Sequence, residues 1–183
     1  MKIIFVNQFG FSRRECGERM PENMEFMDIR KGSDVEFGQS IYEPFGIAQL
    51  EPLTFGGICV FSSVCGCLGF LRDTTGGADV RNAIIADYTN LTAQGYSEIE
   101  DILQIERSVR DRTEAVESQR VAMQICSHLP KNEAEVESMI QSGYELAKEM
   151  NWDKVVKEYL LRGLQSVSKA TKEIKVPDEL HIS

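Results

Sequence analysis

Histidine and tryptophan are almost absent from this 183-residue chain, at two and one copies. His128 and His181 stand far apart without ligand spacing, so no metal centre is expected. Basic residues are outnumbered, 20 against 29 acidic ones, for a formal net charge of -9. That balance argues against nucleic acid as a partner, because phosphate backbones are bound by Lys and Arg. It argues equally against an anionic membrane surface. No apolar run approaches the roughly 20 residues of a membrane-spanning helix. Met1 leads directly into the strand-like Ile3-Ile-Phe-Val6, with no charged leader and no cleavage site, and a cytoplasmic protein is expected. The five cysteines, Cys16, Cys59, Cys65, Cys67 and Cys126, are odd in number and show no disulfide framework. Reduced thiols, buried or merely tolerated, are the expectation. Cys65-Gly-Cys67 is the one close pair.

What remains is the composition of an ordinary globular protein, 42% hydrophobic and 27% charged, long enough for one domain over residues 1–183. Residues 1–96 form a strand-rich half, 97–171 a helical half and 172–183 a tail. Short apolar runs place strands at Ile3 to Asn7, Met24 to Ile29, Val35 to Gln39, Gly57 to Ser62 and Ala83 to Tyr88. A helix from Phe45 to Phe55 lies between two of them. Strand, helix, strand in that order points to a parallel βαβ unit. In the second half, Ser97-Glu-Ile-Glu100 has the form of a capping box opening a long charged helix that ends near Pro130. Asn132 opens the next helix, with Val136, Met139, Ile140, Gly143, Tyr144 and Ala147 at helical spacing. Asn151 opens the last, in which Trp152 reads as a core anchor.

One segment, Ser40-Ile-Tyr-Glu-Pro-Phe-Gly-Ile-Ala-Gln-Leu-Glu51, carries chemistry that a core does not need. Glu43 and Glu51 flank a Pro-Phe-Gly turn running into an apolar helix. The backbone N–H groups at such a helix start are unpaired and carry roughly half a positive charge. Gly46 lacks a Cβ, so Phe45-Gly46-Ile47 is a candidate phosphate contact. Glu51 sits about five residues into the helix, roughly 7 to 8 Å along its axis, an offset that suits two ends of one extended ligand. Pro52 removes a backbone bond and would clash with the Ala48 carbonyl, so a kink is expected there.

The segment, with Gly57-Ile-Cys-Val-Phe61 after it, resembles the E-x7-E signature of retaining glycosyltransferases with the GT-B fold, the glycogen and starch synthase group. The resemblance is good from about Val35 to Phe61 and weaker from 83 to 90 and 139 to 164. It implies a Rossmann-like parallel sheet flanked by helices, the C-terminal, donor-binding half of a GT-B enzyme, with a helical C-terminal region. It implies Glu43 as the catalytic residue at the donor sugar, Glu51 at the nucleotide ribose, and Tyr42, Phe45, Gly46 and Ile47 at sugar and phosphate. Arg13 and Arg14 stand roughly where the family supplies a diphosphate-gripping Arg and Lys, although the family's Arg…Lys-Gly pattern is absent. Arg19, Arg30 and Lys31 widen that basic patch. The implied donor is a nucleoside-diphosphate sugar, with no other cofactor and no metal. The saccharide acceptor would be held by an N-terminal domain outside this chain, without which the domain is expected to be inactive.

Two other readings stay open. One is a non-catalytic binding or assembly module on the same half-fold, self-associating through its helices. The other is a nucleotide-sugar epimerase-type enzyme, which calls for acid/base groups such as His; both histidines lie outside the signature half.

Overall fold

Ile58-Cys-Val-Phe-Ser62 is an unbroken apolar run, and the strand it forms, β2, is buried at all five positions. That is the pattern of a central strand covered on both faces. The computed structural model describes residues 14, 21–39, 43–44, 46–91, 95–96 and 98–170. The expected strand at Ile3 to Asn7, the Ser97 cap and the tail from residue 172 lie outside the described residues. By internal contacts the chain divides into two compact units, Met1–Ala147 and Lys148–Ser183.

In the first unit β2 pairs in parallel with β1 (Val35–Gly38) and β3 (Ala83–Ala86), in the order β1-β2-β3. The register sets Val35 opposite Ile58 and Cys59 opposite Ala83. Helix α1 (Phe26–Lys31) precedes β1. The crossover from β1 to β2 holds the short helix α2 (Ile47–Leu50) and a 3-10 turn over Glu51–Phe55. Helix α3 (Cys67–Thr75) links β2 to β3. Then follow α4 (Ile99–Leu103), α5 (Arg107–His128) and α6 (Glu133–Glu149). The parallel α/β architecture thus agrees with the sequence.

The core forms where strand alternation sends Ile58, Val60, Ile84 and Ala86 to one face, against Val121 of α5 and Met139 of α6. Cys59 and Phe61 point the opposite way and are also fully buried. Asn82, 1% exposed, joins the layers. Its Nδ2 donates to the carbonyls of Gly56 (3.2 Å) and Met139 (3.1 Å), and its Oδ1 accepts from Ser142 (2.7 Å). Gly143 lets α6 approach so closely that a Cβ there would meet the Leu53 carbonyl at 2.3 Å.

Several local expectations are corrected. Met24 to Ile29 does not form a strand but lies at the start of α1. The Asp28 carboxylate accepts the Glu25 N–H (2.8 Å), tying off the first turn as a helix cap does. The helix expected from 97 to 130 is two, α4 and α5, because Glu106 takes extended backbone and starts anew. Its end is as expected: Leu129, before Pro130, turns extended at ψ 134. Asn132 caps α6 by accepting the Glu135 N–H (3.0 Å). Of the α6 stripe, however, Met139 and Gly143 are buried while Val136, Ile140 and Tyr144 are exposed.

The second unit contains α7 (Trp152–Val155), a π-turn at Val156–Leu160 and α8 (Leu161–Ala170). Asn151 caps α7, accepting from the Lys154 N–H (2.9 Å). Trp152 is not a core anchor: it is 80% exposed. The unit's described elements form one run of consecutive helix, which offers no second layer of its own to bury an indole. Among the described residues no helix is long and apolar enough to cross a membrane.

Candidate functional site

The parallel crossover carries the E-x7-E segment from the C-terminal end of β1, the edge of an open α/β sheet where ligands bind. There Glu43 and Cys65 form a parallel bridge between the signature turn and the turn after β2, and the Gly66 N–H donates to the Glu43 carbonyl (3.0 Å). Gly46 follows in left-handed backbone, φ 80. A Cβ at that position would lie 2.4 Å from Cys65 Sγ, so glycine is required on conformational and on steric grounds. Among the described residues nothing pairs with the Glu43 carboxylate. Tyr42, Phe45 and Arg13 lie outside the described residues, and Arg14 is exposed.

The expected helix from Phe45 to Phe55 is only four residues of α-helix before the 3-10 turn at Glu51. The electrostatic field at its start is correspondingly smaller than that of a long helix. The change of helix type follows from Pro52, as the sequence requires. Pro52 is fully buried and has no N–H for the Ala48 carbonyl. Arg30 supplies the missing donor, Nη2 to Ala48 O at 2.7 Å. The same guanidinium donates from Nε and Nη2 to Glu36 (3.0 and 2.8 Å) and from Nη1 to Oε2 of Glu51. Its side chain is 7% exposed and stacks over Phe26 at 5.8 Å. Arg30 is therefore not part of an open basic patch but a buried clamp on the second signature glutamate. Burial alone would lower its pKa, but Glu36 and then Glu51 outweigh that and raise it. Lys31 is exposed beside Asp28 (3.5 Å), and Arg19 lies outside the described residues.

Beside the turn a cleft of about 670 Å³ opens at the carboxyl ends of all three strands. Gln39 follows β1, Ser62 ends β2 and Ser63 follows it, and Tyr88 and Thr89 follow β3, while Arg110, Asp111 and Glu114 of α5 line it from the other side. The Tyr88 hydroxyl donates to Gln39 (3.2 Å), and burial pushes that phenol above its ordinary range. Asp87 braces the rim, accepting from Ser63 Oγ (2.8 Å), Thr89 Oγ1 (2.7 Å) and Thr89 N (3.0 Å). Burial raises its pKa, but the Thr89 and Ser63 hydrogen bonds prevail and hold it low. Glu117 accepts the Asp87 N–H (2.5 Å) and is held low chiefly by Arg120. Hydroxyls and an amide close together form a surface suited to a hydroxyl-rich ligand, while on the wall Asp111 and Glu114 outnumber Arg110.

His128 is engaged elsewhere, its Nδ1 2.9 Å from the Arg81 carbonyl oxygen. Among the described residues no group of three His, Cys, Asp or Glu is placed to hold a metal ion. Cys59, Cys65 and Cys67 are buried and Cys126 is exposed.

Sequence reasoning singled out the turn and the loop after β2 but not the Arg30 clamp or the parts of the cleft after β1 and β3. The rule that ligands gather at strand carboxyl ends would have pointed to Gln39 and Tyr88 as well. No protein family, curated protein or solved structure matches this chain.

Proposed function

We propose that this chain is the nucleotide-sugar-binding domain of a retaining glycosyltransferase, which moves a hexose from a nucleoside diphosphate to a saccharide when an acceptor-binding domain faces it. One observation carries the reading. The E-x7-E turn stands at the carboxyl edge of a parallel sheet, with Glu43 bridged to Cys65, directly after the Ser63 and Val64 that line the cleft. In this reading Glu43 accepts hydrogen bonds from the donor sugar. Glu51, engaged by Arg30 through Oε2, offers Oε1 to a ribose hydroxyl. The acceptor hydroxyl attacks on the face the diphosphate leaves, and the departing phosphate oxygen takes its proton. The domain contributes positioning and a fixed polar environment.

The test is calorimetric titration with UDP, ADP, GDP and their glucose conjugates. One conjugate binds saturably, and Glu43→Gln weakens it at least about tenfold, the loss of a hydrogen bond to a charged group, while the thermal midpoint is unchanged. Failure of all six ligands to bind overturns the reading.

A second reading, an assembly module, is favoured by the exposed Trp152, Tyr159, Leu160, Leu164 and Val167 of the second unit. Light scattering that finds a monomer at high concentration removes it.

A further inference from the structure

Cys65 Sγ and Cys67 Sγ lie 3.0 Å apart, about 1 Å more than the length of a disulfide bond. The two residues are 3% and 0% exposed. Gly66 between them has no side chain to resist a change in the turn, and it is exposed, as is Val64 before the pair. The turn sits at the surface end of β2, where a small opening admits a reagent. We propose that Cys65 and Cys67 form a thiol–disulfide exchange site that reacts with low-molecular-weight disulfides.

The chemistry balances without any other group. The Cys65 thiolate attacks one sulfur of the external disulfide, that S–S bond breaks, and the expelled thiolate takes up the proton Cys65 has lost. Cys67, already beside the new mixed disulfide, attacks Cys65 Sγ and expels the second small thiol, which receives the Cys67 proton. Two protein thiols are oxidised to one disulfide, and one external disulfide is reduced to two thiols. Burial holds the Cys67 thiol well above its ordinary range, which disfavours its thiolate, so the second, intramolecular step is carried by the 3.0 Å proximity of the two sulfurs. Cys59, pushed up to about 12 by burial, stays protonated as a bystander.

The bond has a structural consequence. Cys65 carries the bridge to Glu43, and its sulfur occupies the space a Cβ on Gly46 would need. Closing the pair shifts that sulfur where it packs against the signature turn.

The test uses the folded full chain, reduced and then exposed to oxidised glutathione, quenched with an alkylating agent and mapped by mass spectrometry. The tryptic peptide spanning 32–72 holds Cys59, Cys65 and Cys67. The expected result is that this peptide carries one alkyl group, on Cys59, and is otherwise lighter by two hydrogens. The loss vanishes in Cys65→Ser and in Cys67→Ser but persists in Cys59→Ser, and Cys67→Ser accumulates a glutathione adduct on Cys65. Alanine versions repeat the result, so that a folding defect in one variant is recognised. Three alkylated cysteines in that peptide, with Cys126 glutathionylated in the same sample, overturn the proposal. So does a disulfide that survives either Cys65→Ser or Cys67→Ser.

Discussion

Replacing Arg30 by methionine removes a cation while keeping much of the volume, and the structure sets the expected loss. Three acceptors lose their donor at once: Glu36, Glu51 and the Ala48 carbonyl. Removing one partner of a fully buried ion pair costs about 3–5 kcal/mol. That range overstates the electrostatic part here, because the Glu36 and Glu51 side chains are 26% and 44% exposed and water partly re-solvates them. The orphaned carbonyl adds about 1–3 kcal/mol. Roughly 3 kcal/mol is therefore the expected loss, against a typical total stability of about 5–15 kcal/mol. With a urea slope near 2 kcal/mol/M, the midpoint falls by about 1.5 M.

The assay is urea denaturation of wild type, Arg30→Met, Glu36→Gln and the double variant. Neutralising Glu36 in the absence of Arg30 removes a stranded charge, so the double variant loses less than the sum of the singles. Arg30→Lys keeps the charge but lacks the planar fork that reaches three acceptors, and recovers only part of the loss. A loss below about 0.5 kcal/mol for Arg30→Met, the size of an ordinary surface change, or strict additivity with Glu36→Gln, would refute the clamp.

Two further outcomes follow from packing and charge. Gly143→Ala improves helix propensity by about 1 kcal/mol but drives a Cβ to 2.3 Å from the Leu53 carbonyl; overpacking against backbone wins, and the thermal midpoint drops by several degrees, whereas a rise would contradict the close approach. Asp87 and Glu117 are both held below their ordinary values of 3.8 and 4.5. The stability they contribute is complete above those values and is lost as pH falls through the lower folded ones. Thermal midpoints measured from pH 6 to pH 3 should fall, and Glu117→Gln should fall less steeply; an unchanged slope in that variant argues against the Arg120–Glu117–Asp87 link.

These three strands were legible because their apolar runs are continuous or alternating; Val35 and Ala83 begin strands as the pattern indicates, Ile58 begins one residue inside the expected run, and the first and third strands end one and two residues early. Caps were equally legible, since Asn132 and Asn151 act through bonds to residues three positions on. Met24 to Ile29 misled because a run of Met, Phe and Ile fits either period over six residues, and the deciding contact is the Asp28 cap. The stripe from Trp152 misled for a different reason. Periodicity reports that a face is apolar, not that anything covers it, and Trp152 is 80% exposed.

The site shows the same division between local and distant information. The E-x7-E spacing and the glycine at φ 80 are consequences of neighbouring residues, and both were visible in the chain. The inequality of the two glutamates was not, because it depends on Arg30, 21 residues before Glu51 in sequence. Pro52 connects the two levels. It denies the Ala48 carbonyl a helical donor, Arg30 fills that vacancy, and from there it reaches Glu51. Glu51 is thereby fixed by the fold itself, whereas Glu43 has no such partner among the described residues. If the turn is the proposed donor site, a substitution at Glu51 changes structure and ligand contact together while one at Glu43 separates them, which makes Glu43 the more informative position for testing that proposal.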